Sequence, residues 1–172
     1  MFRLMCKFSE ANRQKLGNAV SYIAAHARYP YKTEVLKLLF LMEERMVQQA
    51  HVPFWGIPFN TWRMGPVSVD VFEELSDGPV LLDDFIALEF NAKGNKVIPK
   101  KGFCDDEFSD QEIRMMEEVV RGAVNIPERG VNAYVFEAGD QVTDTYCFPR
   151  RTYVYGEQVD DYTEEDLMAL RE

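Results

Sequence analysis

The stretch Thr33-Glu34-Val35-Leu36-Lys37-Leu38-Leu39-Phe40-Leu41-Met42-Glu43-Glu44-Arg45-Met46 decides how the rest of the chain is read. Val35, Leu36, Leu38, Leu39, Met42 and Met46 recur at helical steps and occupy more than one face. A helix that is apolar on more than one face belongs inside a core. Thr33 suits an N-cap, and Glu43, Glu44 and Arg45 are expected to form the wet side. Upstream, Leu16, Val20, Ile23 and Ala27 recur every three or four residues. That spacing predicts a helix over 12–27, closed by Pro30.

Downstream, residues 51–60 combine Pro53, Gly56 and Pro58 with Phe54, Trp55, Ile57 and Phe59. Such an apolar loop must fold back, because aromatic surface left in water is costly. Gly65-Pro66 is expected to open a third helix, with Val67, Val71, Phe72 and Leu75 as its buried stripe and Ser76-Asp77-Gly78-Pro79 as its stop. Phe85-Ile86-Ala87-Leu88-Glu89-Phe90 and Lys96-Val97-Ile98, joined through Asn91-Ala92-Lys93-Gly94-Asn95, predict a β-hairpin at about 85–98. Ser109-Asp110-Gln111-Glu112 is a capping box for a helix carrying Ile113, Met116, Val119 and Val120. Pro127 is expected to open another, with Val131, Tyr134 and Val135.

The fold class that follows is mainly α with a small β-hairpin (α+β). It is expected as a compact multi-helix single domain over 1–155, followed by an acidic C-terminal segment over 156–172. Residues 157–172 hold seven acids and one base, and Thr163-Glu164-Glu165-Asp166 suits the cap of a short terminal helix.

A chain of 172 residues, 47% hydrophobic and 28% charged, is one ordinary domain able to bury its own core. Acids outnumber bases 29 to 19, for a net charge of -10. That balance argues against nucleic acid and anionic membranes as partners, since both demand cations. No apolar run approaches the ~20 residues of a bilayer span, and the first eight residues lack a signal-peptide pattern, so a cytoplasmic location is expected. Cys6, Cys104 and Cys147 are odd in number and form no CxxC. Buried, reduced thiols are expected rather than a disulfide framework or a zinc cluster.

Enzymatic signatures are scarce. His26 and His51 have no second ligand at metal spacing, and no GxSxG, HExxH or P-loop pattern occurs. Asp105-Asp106-Glu107 supports an alternative, a small metal-dependent hydrolase. Against it, acids at element boundaries usually cap helices and keep turns wet. No catalytic, cofactor-binding or metal-binding residue is assigned. The unusual segment is Trp62-Arg63-Met64-Gly65-Pro66-Val67. As a structural device it locks the third helix onto the second. As a surface it joins the aromatic loop in a binding groove, because Trp and Arg are common interface anchors. The candidate partner-binding residues are Trp55, Phe59, Trp62, Arg63, Met64, Gly65, Pro66 and Val67. The hairpin edge could also accept a partner strand, but Lys93, Lys96, Lys100 and Lys101 read as edge protection.

Lys37-Leu38-Leu39-Phe40, the turn Trp62-Arg63-Met64-Gly65-Pro66-Val67, and Val71-Phe72-Glu73-Glu74-Leu75 together resemble the Panacea domain family. That family comprises SocA-like antitoxins and GepA-type phage-associated proteins. The resemblance covers about 33–76. Met64 stands where members usually carry an aromatic residue, and the later Thr-His and Pro-Trp segments of the family have no counterpart between 125 and 151. The resemblance implies a mainly helical fold with a small hairpin. It implies an antitoxin that neutralises a co-encoded protein toxin by direct binding, in some members by delivering it to an energy-dependent protease. It implies no active site and no cofactor. A phage-encoded regulator of a host protein is a further alternative with the same binding chemistry.

Overall fold

A computed structural model describes residues 9–50, 54, 55, 57, 59–62 and 65–124. The helix expected from Pro127, the acidic segment 156–172, His51, Cys6 and Cys147 lie outside them. Helix α1 spans Glu10–His26, with the Ser9 hydroxyl accepting from the Asn12 amide at 3.1 Å. It ends as expected ahead of Pro30, and residues 27–31 lead into α2, Lys32–Ala50.

Helix α2 is the centre of the core. Val35, Leu36, Leu38, Leu39, Phe40, Leu41, Met42, Met46 and Val47 are all buried, on every side of the cylinder. Two expectations fail here. Thr33 is not the cap, because the helix starts at Lys32 and the Tyr31 carbonyl already accepts from the Val35 amide at 3.0 Å. Glu43 and Glu44 are not wet: they are 0% and 2% exposed, and only Arg45 of that trio reaches partly toward water.

Beyond the aromatic loop, β1 (Asn60–Trp62) and β2 (Gly65–Val67) form a small antiparallel ribbon, with Asn60 opposite Val67 and Trp62 opposite Gly65. Gly65-Pro66 is therefore strand, not the start of a helix. A two-stranded ribbon has a free side toward which a missing N–H can face, so Pro66 is tolerated. Helix α3 begins three residues after Pro66, at Val69–Asp77, with Ser68 as its cap. A serine hydroxyl can satisfy an orphan helix N–H, which a proline ring cannot; the Val71 amide donates to Ser68 Oγ at 3.3 Å. The expected stop is present: Gly78 adopts φ 123°, and Asn95 Nδ2 donates to the Leu75 carbonyl at 2.9 Å.

Strands β3 (Ile86–Asn91) and β4 (Gly94–Pro99) make the predicted hairpin, with Leu88 opposite Val97 and Glu89 opposite Lys96. Its turn is only Ala92-Lys93, closed by Gly94 at φ 128°. Helix α4, Asp110–Val124, carries the capping box as read. The Glu112 amide donates to Ser109 Oγ at 3.2 Å and the Ser109 amide to Glu112 Oε2 at 2.8 Å. Lys15 of α1 reaches the same Glu112 carboxylate at 2.8 Å while lying 4.2 Å above the Phe54 ring.

Helix α1 sits on the hairpin through a glycine. A β-carbon on Gly17 would fall 2.3–2.6 Å from three atoms of the Phe85 ring, which is fully buried. Gly17→Ala should therefore destabilise by about 2 kcal/mol, since the overlap outweighs the ~1 kcal/mol helix-propensity gain of alanine. The double variant Gly17→Ala/Phe85→Leu should recover part of that loss in a denaturant titration. Strict additivity of the two changes would refute the contact.

Candidate partner-binding site

The two halves of the sequence motif meet in the structure. The Trp55 indole N–H donates to the Leu39 carbonyl at 2.9 Å, and the Phe59 ring meets Phe40 edge-on at 5.3 Å. The apolar loop does fold back, onto α2. What holds it there is Glu43, whose Oε2 accepts from the backbone amides of both Phe54 and Trp55 at 3.0 Å. Two adjacent N–H groups of an irregular segment would otherwise be buried without a partner, a cost of about 1–3 kcal/mol each. The carboxylate thus does for the loop what a strand or helix partner does elsewhere.

Glu74 repeats the device on the next loop. Its Oε2 and Oε1 accept from the Val80 and Leu81 amides at 2.6 and 2.7 Å, fixing the chain just after α3. Burial raises the Glu74 carboxyl above its usual range, against these amide bonds, which favour the charged form. Asn18 does similar work between α1 and residue 104: its amide group donates to the Gln14 carbonyl and accepts from the Cys104 amide.

Of the eight candidate residues, Trp55, Phe59 and Val67 are buried in the core. Trp62 and Gly65 face one another in backbone register across the β1–β2 ribbon, with Pro66 opposite Thr61. Arg63 and Met64 lie outside the described residues. The described part of the segment is therefore a two-stranded ribbon preceded by the buried aromatics Trp55 and Phe59.

Two more ionisable side chains of α2 are buried. Burial pushes the Glu34 carboxyl up to about 7 and pulls the Lys37 ammonium down to about 7. For Glu34 the sign is definite. The unfolded carboxyl loses its proton near 4.5 while the folded one keeps it to about 7, so folded stability falls as pH rises through that window and levels off above it. Melting temperatures between pH 4.5 and 7 should decline in the wild type and decline less in Glu34→Gln. Identical slopes in both would exclude Glu34 as the source.

Elsewhere, His26 is exposed, stacked on Tyr22 at 4.3 Å, with Nδ1 3.0 Å from the Tyr22 carbonyl. It lines a surface groove of about 450 Å³ together with Ser21, Lys101 and Phe103. Asp105, Asp106 and Glu107 are exposed around a turn in which the Asp105 carbonyl accepts from the Phe108 amide. Among the described residues no group of three or more His, Cys, Asp or Glu side chains is placed to hold a metal ion. Cys104 is exposed, contrary to the buried thiol expected, because it lies in the extended chain between β4 and α4. Among the described residues no helix is long and apolar enough to cross a membrane.

The polar contacts of Glu43, Glu74 and Asn18 went unread in the sequence. A signal existed for Glu43. It shares one helical stripe with Leu36, Phe40 and Val47, all apolar, so it could not face water.

Helices around a buried α2, with a ribbon and a hairpin at its flanks, make a small α+β fold. The family model described as antitoxin SocA-like, Panacea domain, matches residues 35–137, and the chain belongs to that family. Comparison with curated proteins and with solved structures gives no match.

Proposed function

We propose that this chain is an antitoxin that neutralises a co-encoded protein toxin by binding it directly, and that it presents the bound toxin to an energy-dependent protease. Membership of the SocA-like family over 35–137 carries this reading. Two physical features support it. The net charge of -10 favours encounter with toxins that act on nucleotides or nucleic acids, whose sites are basic. The β1–β2 ribbon follows directly on a loop that Glu43, Trp55 and Phe59 hold against α2. In this proposal Trp62, Arg63, Met64, Gly65 and Pro66 meet the partner, while the buried Trp55, Phe59 and Val67 support them from within.

The test is co-expression with the product of the adjacent reading frame. That product should be toxic alone, harmless with this chain, and should co-purify with it. Arg63→Ala should weaken the complex without lowering the melting temperature. A neighbour that is harmless alone, or toxic but not bound, would defeat the reading. Adding the energy-dependent protease to the purified pair should degrade the toxin only when the antitoxin is present; equal degradation without it would remove the adaptor step.

A further inference from the structure

We draw no further inference here: the strongest candidate, the surface groove between the last turns of α1 and the chain leaving β4, lined by Tyr22, His26, Lys100, Lys101 and Phe103, carries nothing, because its two ammonium groups are engaged by the Asp83 carbonyl and the Phe85 ring and nothing in the structure shows what covers it.

Discussion

Glu43→Ala should lower the stability of the folded chain by about 3 kcal/mol, or roughly 10 °C in melting temperature for a protein of this size. The variant strips the acceptor from the Phe54 and Trp55 amides, which then remain buried without a partner. Part of the loss is offset, because a wholly buried carboxylate also carries a desolvation cost that alanine removes. Glu43→Gln separates the two effects. Both amides bond to a single oxygen, Oε2, and a glutamine carbonyl can stand in its place. The glutamine variant should therefore lose less than half as much as alanine. Equal losses would mean that the charge, not the acceptor, holds the loop.

Trp55→Ala should cost about 4 kcal/mol, the range for truncating a large buried aromatic side chain. The indole is 2% exposed and tied to the Leu39 carbonyl, so both packing and a hydrogen bond are lost. Trp55→Phe keeps most of the apolar bulk and should cost about 1–2 kcal/mol, chiefly for the carbonyl left without its indole partner. Affinity for the proposed toxin partner, measured well below the melting temperature, should change little in Trp55→Phe. A large loss of affinity in a variant that melts normally would instead place the indole at the interface.

The parts of the fold that were legible in the sequence are those in which one residue type has one physical use. The Ser109–Glu112 box, the Ser76-Asp77-Gly78-Pro79 stop and the hairpin over 85–98 were all read correctly, because capping side chains and a positive-φ glycine act locally. The central place of α2 was readable from apolar residues on every face. The errors fall where tertiary contacts outweigh a local rule. Gly65-Pro66 suits a helix start, but Ser68 caps α3 better and pairing with Thr61 draws Pro66 into a ribbon. Glu43-Glu44-Arg45 looks like a solvated run, yet Glu43 is needed by two amides of a loop eleven and twelve residues away. Cys104 was assigned to the core from the usual habit of its kind, whereas its neighbours form an exposed connection.

For the candidate site, the sequence offered residue types without their orientation. The sequence marked the segment from Trp55 to Val67 as unusual, and the structure buries Trp55, Phe59 and Val67 of it. It could not tell which of these residues face inward, because an irregular loop has no period to read.

The packing of α1 against Phe85 bears on where this family's domain begins. Sequence similarity starts at residue 35, inside α2, yet Gly17, Val20 and Ile23 of α1 are buried in the same core. Trimming to the matched span would strip away the first turn of α2 and a whole wall of that core, exposing apolar surface to aggregation. The region recognisable by descent is thus smaller than the region that must be expressed together.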